Sequence, residues 1–205
     1  MQLLKMSAHP EGTWTISDAQ TMRGRSYSGT VNIFPFGRVY QIVWLTDGHN
    51  FSGLGFAEDR YLFSGWGYDL SYCVVLYRIR PDGTLEGRWT TPQLFGDVGW
   101  ERATDGMPGD LEGLYQATGA QSDNRSPYTQ TLAISKVGEI YQLSNSRSPK
   151  TQGIGLRLGD WLVVNWGYGR NFGVMAYEID RDSATGRWTR PGSDRVEIER
   201  LDKIC

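Results

Sequence analysis

The second half of this 205-residue sequence repeats its first half. The sequence Trp-Gly-Tyr at 66–68 returns at 166–168, and Gly-Arg-Trp-Thr at 87–90 returns at 186–189. The spacing between matched positions falls from 101 to 100 and then to 99 residues, so two one-residue deletions align the halves. A repeat of this length indicates two copies of one folding unit.

The two units are predicted to lie at 12–104 and 113–201. The segment between them, Asp-Gly-Met-Pro-Gly-Asp at 105–110, has the glycine and proline content of a linker. The pattern leaves open whether the units are separate or share one sixteen-stranded assembly. A four-bladed propeller is disfavoured, because no second repeat occurs at a spacing of about 50 residues.

Each half has the pattern of a series of short β-strands. Alternating segments rich in β-branched and aromatic residues lie at 39–44, 61–66, 73–79 and 85–90, and again at 139–145, 161–166, 173–179 and 184–189. No window of about 11 residues has the helical spacing of apolar groups. We therefore predict an all-β fold of two homologous antiparallel meander units, each with about eight strands.

Two pairs of glycines indicate how each meander closes. Gly53 and Gly55 lie on one face of the predicted fourth strand, and Gly153 and Gly155 repeat them in the second half. Glycine weakens a strand unless it permits a sharp bend or a close approach. A meander of about eight sharply bent strands closes best as an up-and-down β-barrel, which is the prediction for each unit.

The first predicted strand of each half begins with a short glycine–aromatic motif. The motif reads Gly-Thr-Trp at 12–14 and Gly-Leu-Tyr at 113–115. Followed by a meander that ends in Gly-Arg-Trp-Thr, it resembles the start of the small barrels of the avidin/lipocalin (calycin) group. The resemblance implies a tandem of such barrels, with a ligand cavity at the mouth of each.

Aromatic side chains carry the main hypothesis about function. Strand alternation is expected to turn one set into each interior. The first set is Tyr40, Trp44, Trp66, Tyr68 and Trp89, and the second is Tyr141, Trp166, Tyr168 and Trp188. Asn145 stands where the first half has Trp44, so the two interiors are expected to differ. Large apolar walls with a few polar tips are typical of pockets, although the same residues also fill solid cores.

Arg88 and Arg187 are the repeated charged residues of the Gly-Arg-Trp-Thr motif. An arginine can stack on an aromatic ring or hold a carboxylate in a bidentate grip. Alternation turns Arg88 away from Trp89, which also fits a structural role against a backbone or acidic partner. Both arginines join Asn145 and the aromatic residues as candidate ligand-binding residues.

Composition limits the partners. The 21 basic residues nearly balance 23 acidic ones, which disfavours nucleic-acid binding. No apolar stretch approaches the roughly 18 residues of a membrane span. The cysteines, Cys73 and Cys205, and the histidines, His9 and His49, are scattered, so neither a metal site nor a cofactor is expected. A reduced, cytoplasmic protein is the expectation.

The sequence favours a non-catalytic binding protein whose tandem barrels hold a small apolar or aromatic ligand or a glycan. The first alternative is a barrel enzyme acting on a small molecule, with Glu101, Glu197 or Glu199 as acid or base. The second is a protein-interaction module that uses exposed strand edges. The oligomeric state is left open.

Overall fold

The computed structural model describes residues 9–204, and this part of the chain is built almost wholly of short strands. The strands are β1 (Gly12–Ala19), β2 (Gly29–Phe36), β3 (Val39–Thr46), β4 (Asn50–Glu58), β5 (Tyr61–Gly67), β6 (Cys73–Ile79), β7 (Leu85–Thr90), β8 (Gly99–Thr104), β9 (Gly113–Ala120), β10 (Tyr128–Val137), β11 (Ile140–Asn145), β12 (Gln152–Leu158), β13 (Trp161–Gly167), β14 (Phe172–Asp180), β15 (Ser183–Thr189) and β16 (Glu197–Lys203). One short 3₁₀ helix lies at Pro92–Leu94. The all-β prediction is confirmed, with eight strands in each half.

The strands form two closed barrels in which all neighbours are antiparallel. The first barrel runs β1-β16-β15-β14-β5-β4-β3-β2 and the second runs β10-β11-β12-β13-β6-β7-β8-β9. Each sheet closes on itself, because β1 pairs with both β2 and β16, and β9 pairs with both β8 and β10. The prediction of two eight-stranded barrels is confirmed, and the alternative of one sixteen-stranded assembly is wrong.

The barrels do not coincide with the repeated halves of the sequence. The first barrel combines β1–β5 with β14–β16, and the second consists of β6–β13. In a simple meander, β5 would pair with β6 and β13 would pair with β14. In the structure these partners are exchanged, so that β5 pairs with β14 and β13 pairs with β6. The boundaries 12–104 and 113–201 therefore describe the repeat but not the barrels. The sequence pattern does not choose between β6 and β14 as the partner of β5, because the two strands share Val, Tyr and Ile at matched positions.

Alternate residues of every strand fill the two interiors. The first interior contains Trp14, Ile42, Trp44, Leu62, Trp66, Tyr177, Trp188 and Leu201 among others. The second contains Val75, Tyr77, Leu85, Tyr115, Leu132, Leu143, Leu162 and Trp166 among others. The inward positions predicted for Trp44, Trp66 and Trp166 are confirmed, whereas Tyr68 and Tyr168 lie just beyond the ends of β5 and β13 and are about half exposed.

A third apolar layer joins the outer surfaces of the two barrels. It includes Leu54, Phe56 and Phe63 from the first barrel and Leu76, Ile154, Leu156 and Val163 from the second. Two equivalent backbone hydrogen bonds of 2.8 Å flank it, one from Arg38 N–H to the carbonyl of Gly96 and one from Glu139 N–H to the carbonyl of Asp194. The exchange of strands and this apolar layer together make the two barrels one folded body.

Asn165 lies in the contact between the barrels and breaks their symmetry, because its repeat counterpart is Gly65. The side chain is fully buried, and its amide nitrogen donates to the carbonyls of Trp66 at 2.9 Å and Gly173 at 2.7 Å. A Cβ atom added at Gly65 would lie 2.5 Å from Cγ of Asn165. The space above Gly65 is therefore already taken by the amide that ties β13 to both β5 and β14.

The Gly65→Ala substitution is expected to destabilise the protein by about 1–3 kcal/mol, because it overpacks this contact. Urea unfolding followed by tryptophan fluorescence measures the change. Gly48→Ala is the matched control, since a Cβ atom added there meets nothing within 4 Å. An equal effect of the two substitutions would contradict the tight contact between Gly65 and Asn165.

Candidate functional site

Each barrel encloses one glutamate held by two tyrosine hydroxyls. In the first barrel, Tyr27 donates to Oε2 of Glu199 at 2.6 Å, and Tyr177 donates to Oε1 through a short hydrogen bond. In the second, Glu101 accepts from Tyr128 and Tyr77 in the same way, and the Tyr128 bond is 2.8 Å long. Tyr27 and Tyr128 are repeat counterparts, as are Tyr177 and Tyr77, so both barrels have the same arrangement, each built from one tyrosine of one half and the tyrosine and glutamate of the other.

A glycine in the strand between them lets each tyrosine reach its glutamate. Gly87 lies opposite Tyr77 on one side and opposite Glu101 on the other. A Cβ atom at Gly87 would stand 2.7 Å from the Tyr77 ring, and one at Gly186 would stand 2.6 Å from the Tyr177 ring. This explains why glycine is kept at the start of both Gly-Arg-Trp-Thr motifs.

Burial controls the protonation of these groups. Loss of hydration raises the pKa of Glu199, although its hydrogen bonds to Tyr177, Tyr27 and Trp44 act in the opposite direction. Burial and the negative charge of the adjacent glutamate raise the pKa of Tyr177 and of Tyr77 well above the ordinary tyrosine range. The hydroxyls therefore keep their protons and act as donors.

The raised pKa of Glu199 predicts a pH-dependent stability. The folded state holds this proton more tightly than the unfolded state, so the stability contribution is present below the ordinary pKa of 4.5 and is lost as the pH rises through the folded-state pKa. As the pH rises above about 4.5, the wild type is expected to lose this contribution, whereas Glu199→Gln has no carboxyl group to titrate. The free energy of unfolding of the variant, measured relative to the wild type, is therefore expected to increase with pH. Urea unfolding over a pH series measures this difference. A pH-independent difference would contradict the shift, and Glu197→Gln controls for loss of a carboxylate from the same strand.

The space beside the glutamate is filled in the first barrel. Trp44 is fully buried there, and its indole nitrogen lies 3.0 Å from the hydroxyl of Tyr177 and 3.4 Å from Oε1 of Glu199. Its ring stacks on Phe51 with centroids 4.9 Å apart and an interplanar angle of 12°. Phe51 in turn contacts Trp66 at 5.0 Å. Met175 belongs to the same core.

The equivalent space in the second barrel is a cavity of about 480 Å³. Three smaller residues, Asn145, Thr151 and Val75, stand where the first barrel has Trp44, Phe51 and Met175. All three line the cavity, together with Cys73, Trp89, Glu101, Tyr128, Gln130, Arg147, Trp166 and Tyr168. The cavity therefore results from the loss of large side chains at repeat-equivalent positions.

Polar groups in the cavity are concentrated around Glu101. Oε2 of Glu101 accepts from Gln130 at 2.8 Å in addition to Tyr128. The Arg147 guanidinium lies over the Tyr128 ring, 4.5 Å from its centroid. Burial and the charge of Glu101 raise the pKa of the Cys73 thiol to about 12, so this thiol stays protonated near neutral pH.

The connections at which the chain crosses between barrels form part of the cavity rim. Leu70, Ser71 and Tyr72 connect β5 to β6, and Tyr168 begins the connection to β14 after Gly167, the last residue of β13. All five residues line the cavity. The exchange of strands thus places the candidate site beside the junction of the two barrels.

A second cavity of about 370 Å³ has a different character. It is lined by Arg78, Arg80, Arg157, Asp110 and Asp160 among others. Arg78 pairs with Asp160 at 3.3 Å, and Arg80 pairs with Glu86 at 3.0 Å. Because two of its arginines are already paired with carboxylates, this cavity is a weaker candidate than the aromatic one.

The predicted ligand-binding residues divide into three groups. Trp89, Asn145, Trp166 and Tyr168 line the cavity, whereas Trp44, Trp66, Trp188 and Tyr141 are buried in the barrel cores. Tyr68 is about half exposed, and Tyr40 reaches Glu11 at 3.5 Å. Arg88 pairs with Glu58 and stacks over Phe56 at 4.7 Å, and these contacts join the second barrel to the first. Arg187 is exposed. Four of the twelve predicted residues therefore meet at one site.

The predicted composition of the two interiors is wrong for one pair of residues. Trp89 packs in the second barrel near Tyr128, with centroids 6.4 Å apart, and Trp188 belongs to the first barrel. Strands β7 and β15 carry these tryptophans, and both strands lie in the barrel built mainly from the other half. The exchange of strands thus moves each tryptophan to the opposite interior.

The three candidate glutamates differ in their surroundings. Glu101 and Glu199 are buried and held by tyrosines, whereas Glu197 pairs with Arg195 at 3.4 Å near the surface. Sequence reasoning did not identify Gln130 or Arg147 as site residues. Neither is a repeated residue, and their positions become informative only after β10 and the loop following β11 are placed beside Glu101.

Within residues 9–204, no cluster of three or more His, Cys, Asp or Glu side chains is placed to hold a metal ion. Cys73 is a free thiol, and Cys205 lies outside the described residues. Over the same range, no helix has the length and apolar character that a membrane crossing requires.

The fold and site define a double β-barrel with one aromatic cavity. Comparisons with models of protein families, with curated proteins and with solved structures find no match to this chain. The cavity of the second barrel is therefore the basis of the proposed function.

Proposed function

We propose that the protein is a non-catalytic binding protein that holds one small ligand in the second barrel. The observation that carries this proposal is the cavity of about 480 Å³ in one barrel, at positions where the other barrel is filled by aromatic side chains. Its size falls within the range of about 300–1,000 Å³ that is typical of ligand pockets. Of the two barrels, the first then serves as a packed scaffold.

The lining of the cavity suits a ligand with a flat ring and hydrogen-bonding groups. Trp89, Trp166 and Tyr168 supply aromatic surface, and Gln130 and Asn145 supply polar contacts. A small aromatic molecule has such a flat ring, and a sugar ring, although puckered, has an apolar C–H face that also stacks on aromatic side chains. Membership of the avidin/lipocalin group, which the sequence resembles, would place a ligand at the mouth of a barrel. We also propose a cytoplasmic location, in which the free Cys73 thiol stays reduced.

Binding is favoured over catalysis by the contacts of Glu101. Three side chains, Tyr77, Tyr128 and Gln130, donate hydrogen bonds to its two oxygens. These donors stabilise a fixed acceptor, whereas a general acid must present its proton to the substrate.

The interaction-module alternative is disfavoured, because both sheets of the described chain are closed and leave no free strand edge.

Mass spectrometry of freshly purified protein tests the proposal. Under native conditions we expect one additional small molecule per chain, which is lost on denaturation and recovered chemically unchanged. The Asn145→Trp/Thr151→Phe variant restores the large side chains of the first barrel and is expected to carry no ligand. A second copy per chain, or an unchanged ligand content in this variant, would contradict a single site in the second barrel.

A further inference from the structure

We infer that the ligand of the second barrel is a planar heteroaromatic molecule with a ring N–H group, of the indole type. This inference rests on the proposed function and specifies the class of ligand. The two barrels share one glutamate–tyrosine arrangement and differ in what lies beside it.

The first barrel carries its own indole at the equivalent position. The Trp44 ring stacks on Phe51, and its N–H group points to the hydroxyl of Tyr177 at 3.0 Å and to Oε1 of Glu199 at 3.4 Å. A buried carboxylate is stabilised by each donor that reaches it. The interior of the first barrel is therefore complementary to an indole that donates toward this pair.

The second barrel keeps the acceptors but places its third donor differently, because Gln130 donates to Oε2 of Glu101 whereas Trp44 approaches Oε1 of Glu199. Glu101 and Tyr77 are arranged as in the first barrel, and Trp166 retains the position of Trp66. Asn145, the counterpart of Trp44, uses its side-chain oxygen to accept the N–H of Ser148 at 2.6 Å. Within residues 9–204, Tyr77 is the one donor within hydrogen-bond distance of Oε1 of Glu101.

We call the space beside Glu101 that corresponds to Trp44 and Phe51 of the first barrel the vacated position. Its surroundings define the chemistry of a ligand that would fill it. An N–H group of the ligand would supply the donor that Trp44 supplies in the first barrel, and a fused ring would fill the space that Trp44 and Phe51 fill there. Arg147 and Ser148 also line the cavity and supply polar groups for a substituent on the ring. A saturated sugar ring has neither the flat aromatic faces nor the ring N–H group.

Isothermal titration calorimetry with indole and 1-methylindole tests this inference on the full-length protein. Indole is expected to bind with a stoichiometry of one. 1-Methylindole has the same fused ring without the N–H group and is expected to bind at least about 10-fold more weakly, since a hydrogen bond to a charged group contributes a factor of about 10 or more. Equal affinities for the two probes would overturn the role of the N–H group.

Two variants connect binding to the vacated position. Asn145→Trp/Thr151→Phe is expected to abolish indole binding, whereas Ser144→Trp, an exposed neighbour on the same strand, is expected to leave it unchanged. Circular dichroism confirms folding, and if the double variant fails to fold, the pair of probes on the wild type decides. Undiminished indole binding by a folded double variant would overturn the inference.

The outcomes also separate this inference from the proposed function. If native mass spectrometry shows one bound molecule that the double variant lacks, but indole neither binds nor displaces it, the proposed function stands and the indole class is wrong. If no molecule is bound and neither indole nor a panel of small glycans binds, both are wrong.

Discussion

A disulfide is expected to form between residues 61 and 178 when Tyr61 and Glu178 are both replaced by cysteine. These residues lie directly opposite each other where β5 pairs with β14. Opposed residues of antiparallel strands have Cα atoms about 4.5–5.5 Å apart, which is within the range that a disulfide spans. With Cys73 and Cys205 replaced by serine, oxidation is expected to cross-link most molecules. Mass spectrometry detects the loss of two hydrogens, and a shift in gel mobility detects the closed loop.

The matched control moves the second cysteine to residue 78. Arg78 is the repeat counterpart of Glu178 and would lie opposite Tyr61 if β5 and β6 formed a simple hairpin. In the structure, Arg78 lies opposite Trp161 in the second barrel. Efficient cross-linking of Tyr61→Cys/Arg78→Cys, with none in Tyr61→Cys/Glu178→Cys, would show that each half closes its own barrel and that the exchanged topology is wrong.

The exchange of strands is the part of the fold that pattern reasoning cannot predict. Alternation identifies β5, β6, β13 and β14 and turns the correct faces inward. It does not choose between β6 and β14 as the neighbour of β5, because the two strands carry matching residues at matching positions. The choice depends on packing between the barrels, where Asn165 and the apolar layer around Phe63 contribute contacts that are distant in sequence.

The candidate site was predictable to a different extent. Alternation places Trp166 and Tyr168 on one face of a strand, and both line the cavity. Asn145 at the position equivalent to Trp44 correctly predicts that the two interiors differ. The pairing of Glu101 with Tyr77 was not found, since it depends on side chains that meet across the intervening glycine of β7. Such a contact requires the register of three strands, which hydrophobic patterning does not supply.

The Trp44→Ala substitution is expected to destabilise the protein by about 3–5 kcal/mol, the range for removing a large aromatic side chain from a packed core. The indole is fully buried and stacks on Phe51, and its N–H group donates to the buried oxygens of Tyr177 and Glu199. The substitution therefore removes packing and a hydrogen-bond donor together. The free energy of unfolding from urea titrations measures the loss. Asn145→Ala, at the equivalent position beside the open cavity, is expected to cost less than about 1.5 kcal/mol, because it leaves little new void.

Trp44→Phe separates the two contributions, since it keeps an aromatic ring and removes the N–H group. If the donor matters by itself, Trp44→Phe is expected to lose about 1–3 kcal/mol, the cost of a buried acceptor left without one of its partners. A loss in Trp44→Ala no larger than that in Asn145→Ala would mean that the first barrel is not packed around its indole. A large loss in the first barrel and a small one in the second would mean that the first barrel depends on the side chain at this position for its stability and the second barrel does not.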